Sequence, residues 1–128
     1  MTEHPRELRY TIEHEWVRVE DDGTATIGVT FFAQDQLGDV VYVVLPAVGS
    51  TVQKDSKMGE IESVKSVSDL FVPVSGEVIE TNQDVIDHPE RVNEDPHGAG
   101  WMVRVRMSNP SEVDGLLTNE QYDSIIAA

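Results

Sequence analysis

The stretch GEIESVKSVSDLF, residues 59 to 71, sets one lysine, Lys65, between two short runs of alternating character. It is one of three lysines in a chain of 128 residues, where nine basic side chains stand against 24 acidic ones, a formal charge of −15. A primary amine offers three chemistries. It can simply stay solvated, as most lysines do. It can act as a nucleophile, for example in a Schiff base, which calls for an apolar pocket or a neighbouring cation. Glu60, Glu62 and Asp69 stand close in sequence and argue against that use. It can also be acylated by an enzyme that brings its own base and an activated acyl group. The target then needs only exposure and a recognisable shape, and a hairpin tip supplies both.

Other chemistry is largely excluded. The chain has no cysteine, so there is no disulfide scaffold, thiolate metal site or cysteine nucleophile, and any thiol chemistry must come from an attached group. His88 and His97 lie near Glu94 and Asp95, but their spacing lacks the compactness of a metal site, so no metal is expected. The negative charge opposes binding to nucleic acid or anionic membranes and suits docking on basic patches of protein partners. Trp16 and Trp101 therefore read as packing residues. No apolar run approaches the roughly 20 residues of a membrane span. The start, MTEHPRELRY, resembles neither a signal nor a transit peptide, which points to the cytoplasm.

Positioning Lys65 requires strands. Met58 to Ser63 and Val67 to Val74 pair, with Ile61, Leu70, Val72 and Val74 turned to the core and Glu60, Glu62, Asp69 and Phe71 turned away. Val64, Lys65 and Ser66 form the tip. Upstream, Trp16 to Glu20 and Thr24 to Val29 make a hairpin about Asp21-Asp22-Gly23. Thr30 caps a short helix over Phe31 to Leu37 that Gly38 ends. Val40 to Leu45 is a continuous apolar run and reads as a buried strand. PAVGSTV from Pro46 echoes PVSGEV from Pro73, which suggests a quasi-symmetric β structure around the Lys65 hairpin. Residues 82 to 100, rich in Asn, Asp, Gly and Pro, read as a long surface loop with a helical turn. Trp101, Val103, Val105 and Met107 alternate with Met102, Arg104 and Arg106, a strand with one buried face. Asn109-Pro110-Ser111-Glu112 and Thr118-Asn119-Glu120-Gln121 are helix starts, the second leading to an apolar face of Tyr122, Ile125 and Ile126. The expectation is a single domain over 1–128, its core spanning about residues 10–108 and a helical segment about 110–127.

EHEWV (13–17), FAQDQLGDVVYV (32–43), ESVKSVSDL (62–70), PVSGEV (73–78) and VNEDPHGAGW (92–101) together resemble the glycine cleavage system H protein family, in that order and over nearly the whole chain. The resemblance implies a mainly β fold, a lipoyl/biotinyl-type flattened barrel (barrel-sandwich hybrid) of two small antiparallel sheets, with short helices and a C-terminal helix. It implies lipoic acid joined to Lys65 by an amide, with Glu62, Ser63, Val64, Ser66 and Asp69 shaping recognition by the lipoylating enzyme. It also implies a monomeric carrier with no catalytic role. Its lipoyl arm takes the aminomethyl fragment of glycine from glycine decarboxylase, the P protein, to aminomethyltransferase, the T protein. Dihydrolipoamide dehydrogenase, the L protein, then reoxidises the arm. The loop at 82 to 100 is expected to shelter the loaded arm. Phe31 departs from the family's small or acidic residue after the threonine of GVT, which puts the helix start there in question. Three other functions remain. A lipoyl relay protein would share every motif around Lys65. A biotin carrier would flank its lysine with methionines, where this chain has Val64 and Ser66. A stand-alone enzyme would turn over unmodified.

Overall fold

The computed structural model describes residues 4–127. Its strands are β1 (Arg9–Tyr10), β2 (Glu15–Val19), β3 (Thr24–Val29), β4 (Val40–Val44), β5 (Thr51–Val52), β6 (Lys57–Ser63), β7 (Val67–Phe71), β8 (Gly76–Thr81) and β9 (Val103–Met107). The helices are α1 (Phe31–Leu37), α2 (Gln83–Asp87), α3 (Arg91–Glu94) and α4 (Asn119–Ala127), with a 3-10 helix at Pro110–Gly115. One sheet has six strands in the order β1-β2-β3-β9-β8-β5 and the other has three, β4-β6-β7, all paired antiparallel.

Valine and isoleucine dominate the strand interiors, as branched side chains on a pleated surface should. Val17, Ala25, Ile27, Val78, Val103 and Val105 of the large sheet meet Val40, Val43, Ile61 and Leu70 of the small one in a shared core. Burying each valine, isoleucine or leucine side chain stabilises by roughly 1.5–3 kcal/mol. A second cluster of Leu8, Tyr10, Trp16 and Tyr122 fastens α4 to the outside of the large sheet. Among the described residues no helix is long and apolar enough to cross a membrane. The architecture is the flattened two-sheet barrel that the resemblance implies, and it matches a solved neighbour reported below.

Local signals placed several elements well. Asp22 accepts from both the amide and the hydroxyl of Thr24, closing the β2–β3 turn. The two echoing segments pair with each other, Thr51 opposite Glu77 and Val52 opposite Gly76. Five expectations change. β4 is not buried throughout, because it runs through a sheet with one open face and exposes Val41, Tyr42 and Val44. Residues 82 to 100 contain α2 and α3, which bury Val85 and Val92, so this segment is packed and not a loose loop. The last long strand starts at Val103, and Met102 is buried while Trp101 is only half-buried, so the alternation breaks there. Asn109 makes no side-chain cap, and Glu112 reaches Ser75 instead, accepting from its amide at 2.7 Å and its hydroxyl at 2.9 Å. In α4 the capping box forms between Thr118 and Gln121, yet of the expected apolar face Tyr122 is fully buried and Ile125 is exposed.

Candidate functional site

Lys65 sits at the tip of the β6–β7 hairpin, which closes after the pair Glu62 and Val67. Ser63 N donates to Ser66 O at 2.8 Å. The buried Ser63 hydroxyl then accepts from Lys65 N at 3.1 Å and Ser66 N at 3.2 Å. One short side chain thus satisfies the two amides that a tight reversal leaves over. Val64 N donates to Asp39 O at 3.1 Å, tying the tip to the α1–β4 turn.

That turn is the bed on which the lysine stem lies. Gly38 ends α1 with φ +80 and ψ −156, a conformation other residues avoid. A Cβ there would meet Lys65 Cε at 3.4 Å, an ordinary contact distance, so the stem lies against this turn and the positive φ alone calls for glycine. Asn93, from the 82 to 100 segment, braces the turn from behind. Its Nδ2 donates to Gly38 O at 2.8 Å and Gln34 Oε1 at 3.1 Å, and its Oδ1 accepts from Val40 N at 2.9 Å.

Glu60 and Asp69, near Lys65 in sequence, are occupied elsewhere. Lys57 Nζ bridges Glu60 at 2.7 Å and Asp69 at 3.3 Å, and those hydrogen bonds, Glu60 first, raise its own pKa. Among the described residues no ion pair forms to Lys65, which is exposed. Of the neighbours singled out, Glu62, Val64, Ser66 and Asp69 are exposed around it, and Ser63 is interior, its hydroxyl bonded to the amides of the turn.

Beside the hairpin opens a cavity of about 420 Å³. Phe32, Leu37 and Leu70 supply apolar wall, and Glu13, Glu15 and Asp69 supply carboxyl groups. No residue of the 82 to 100 segment lines it; that segment braces the lysine's bed instead. Glu15 is buried, accepting from Thr11 Oγ1 at 2.8 Å and Phe71 N at 3.2 Å. Burial pushes its pKa up to about 8, and these hydrogen bonds only partly offset it. His14 also lines the cavity, with φ +69, a backbone state that costs energy outside glycine. Its Nδ1 lies 2.8 Å from Tyr122 Oη, which lies 2.8 Å from Thr30 Oγ1, the N-cap of α1. Burial lowers the His14 pKa. EHEWV was visible as a motif, but no role for Glu15 or His14 followed from it. The available signal was that Glu15 shares strand parity with buried Val17, a carboxyl on an inward face.

The helix start at Phe31 is intact. Thr30 accepts from Ala33 N at 3.1 Å, and the Phe31 amide donates to His97 Nε2 at 3.2 Å, so a histidine acceptor replaces an acidic first turn. Burial, with a smaller push from His4, holds the His97 pKa at about 4, so the ring stays neutral and able to accept. Trp16 is fully buried and donates to Pro96 O at 2.8 Å.

Comparison with known proteins agrees with this geometry. The family model described as Glycine cleavage H-protein matches residues 8–128. The chain is 52% identical over 128 residues to a glycine cleavage system H protein of Marinobacter nauticus, covering 100% of this chain and 98% of that one. It is 52% identical over 122 residues to the glycine cleavage system H protein of Geobacillus kaustophilus, covering 95% of each. Its backbone matches a crystal structure of a glycine cleavage system H protein from Mycobacterium marinum with a TM-score of 0.90, at 39% identity, covering 97% of this chain and 99% of that one.

Proposed function

The chain belongs to the glycine cleavage H-protein family, and on that premise we propose that it is a lipoyl carrier, with lipoic acid joined to Lys65 Nζ by an amide. The observation that carries this reading is an amine at an exposed, backbone-pinned turn whose neighbouring carboxylates Glu60 and Asp69 are held by Lys57. These residues fit the group: the amine is open to acylation, and the rigid hairpin gives a jointed tether a fixed origin. When bound, the lipoyl group supplies a reducible disulfide on a long arm, the chemistry needed to take the one-carbon amine fragment of glycine from glycine decarboxylase to aminomethyltransferase and to be reoxidised by dihydrolipoamide dehydrogenase.

The chain's own residues hold and shelter, and they make no bonds in the reaction. Tethering keeps the carried group at high effective concentration near each docked partner. Phe32, Leu37 and Leu70 offer the end of an arm a dry surface, while Glu13, Glu15 and Asp69 would favour a cationic amine there. Glu15, its pKa near 8, can hold a proton when the cavity is empty and ionise beside a cation. The absence of cysteine leaves no internal thiol to attack a bound disulfide. The acidic surface steers docking on basic partner faces at salt-sensitive affinity, as a cytoplasmic carrier serving several enzymes requires.

Reconstitution tests the reading. Lipoylated protein mixed with the three partner enzymes, tetrahydrofolate, NAD and glycine is expected to support glycine-dependent NADH formation, and Lys65→Arg is expected to support none. NADH formation that survives Lys65→Arg contradicts it.

A further inference from the structure

Helix α4 lies outside the barrel and lines no part of the cavity beside Lys65, yet one of its side chains reaches the cavity wall from behind. Tyr122 is fully buried and stacks on Tyr10, ring centroids 5.0 Å apart and planes 11° from parallel. Its hydroxyl stands between two groups that shape the cavity. One is His14, in the wall made by residues 13 to 15. The other is Thr30, the cap of α1, the helix that brings Phe32, Ala33 and Leu37 into the lining. The backbone already joins these walls, since Thr30 N donates to His14 O at 3.0 Å. That bond leaves the imidazole free to turn. Two contacts hold the ring: Phe32, with centroids 5.1 Å apart, and the Tyr122 phenol at 2.8 Å. The arrangement that uses every hydroxyl proton runs in one direction. Thr30 Oγ1 accepts from Ala33 N, so its own proton goes to Tyr122 Oη, and the phenol proton goes to His14 Nδ1. The imidazole proton is then left on Nε2, which has no hydrogen-bond partner among the described residues.

We propose that Tyr122 is a positioning residue for the carried arm: from α4 it fixes the rotation and tautomer of His14 on the cavity wall, and with Thr30 it sets that wall against α1. The inference rests on reading Lys65 as the attachment point and the cavity beside it as the shelter of the arm. Strain is the first argument. His14 holds φ +69, a state that persists only where its surroundings impose it, and the phenol is one of the few groups that grip its side chain. Burial is the second. A hydroxyl sealed between two polar partners is costly to lose, because each partner is then left short of a bond that water cannot replace. Charge is the third. Burial lowers the His14 pKa against the opposite pull of Glu13, with His4 adding to the lowering, so the wall sets a neutral ring and not a cation against a carried amine. The C-terminal helix thereby shapes a cavity that it does not touch.

Tyr122→Phe removes the hydroxyl and keeps the stacked ring. Tyr10→Phe is the matched control: it removes an equally buried phenol from the same stack, one whose bond runs to Pro5 O and away from the cavity. The first readout uses the unmodified full chain. Ring nitrogen NMR signals of His14 should report an unprotonated, hydrogen-bonded Nδ1 in the parent and in Tyr10→Phe, and a displaced Nδ1 signal in Tyr122→Phe. The second uses lipoylated protein loaded by glycine decarboxylase with glycine and then freed of both, with shelter read as the rate of ammonia release. Tyr122→Phe should release ammonia about fivefold faster than the parent, a factor equivalent to one buried hydrogen bond. Tyr10→Phe should stay within about twofold of the parent. His14→Ala should release as fast as Tyr122→Phe, and the double variant no faster than either, because one path carries both effects. Should Tyr122→Phe lower the thermal midpoint, Tyr10→Phe, which loses a like bond, shows how much of the change is general loosening. Unchanged His14 signals in Tyr122→Phe, equal release by the two phenol variants, or additive losses in the double variant overturn the proposal while the carrier reading stands. A folded parent that releases ammonia as fast as the same protein in urea overturns the proposal and the shelter reading together.

Discussion

Ser63 Oγ serves two amides at once, and among the described residues no other side chain bonds either of them. Ser63→Ala would leave Lys65 N and Ser66 N without an acceptor in a partly buried turn, at a cost of about 1–2 kcal/mol. The variant should unfold at lower urea, and Lys65 should be acylated more slowly because its backbone wanders. Ser66→Ala, at an exposed neighbour, should stay within about 0.5 kcal/mol of the parent. Glu15 gives a pH signature. Its folded pKa of about 8 lies above the ordinary 4.5, so between those values the folded state binds more proton than the unfolded. This contribution to stability is complete below about pH 4.5 and is lost as pH rises towards 8. Urea midpoints across that window should fall with pH in the parent and fall less in Glu15→Gln. At this scale Lys65 was legible in the sequence, because a lysine between two alternating runs has few places to go. The release of Lys65 by Lys57 was not, since it depends on Lys57 meeting Asp69 across the β6–β7 ladder.

Elements decide whether the turn has a bed. Gly38 is required for its positive φ, while a Cβ there would meet Lys65 Cε only at ordinary contact distance. Gly38→Ala should cost about 1–3 kcal/mol as strained backbone. Hydrogen exchange should locate the loss in the last turn of α1 and at Val64 N, whose acceptor is Asp39 O. Gly59 has a related but separate role: a Cβ there would run into the carbonyl oxygen of Val44, which fixes how closely β4 lies on β6. α1 was legible from end to end because its signals are local, a threonine cap and a terminating glycine. The 82 to 100 segment was misread because its order comes from distant partners. Val85 and Val92 fill the core and Asn93 bonds to Gly38 and Val40, none of which a Pro- and Asn-rich composition reveals. β4 was misread for the converse reason. A run of valines suggests burial on both faces, yet nothing covers the outer face of a three-stranded sheet among the described residues.

At the scale of the whole molecule, the paired echo segments and the two sheets make a rigid frame, and the charge of −15 sets how partners approach it. The barrel itself could be anticipated from five motifs in order. The cavity beside Lys65 could not, because its lining gathers three separate stretches, within 13–15, 29–37 and 61–70, that only folding brings together. All of this depends on Lys65 carrying the prosthetic arm while the rest of the chain holds it out. Intact mass of protein made in lipoate-replete cells, alongside Lys65→Arg, tests that most directly. A lipoyl-sized increment is expected in the parent, none in Lys65→Arg, and equal thermal midpoints for the two, since an exposed tip residue contributes little to stability. A lipoyl increment that persists in Lys65→Arg, or a parent that never gains one, would contradict it.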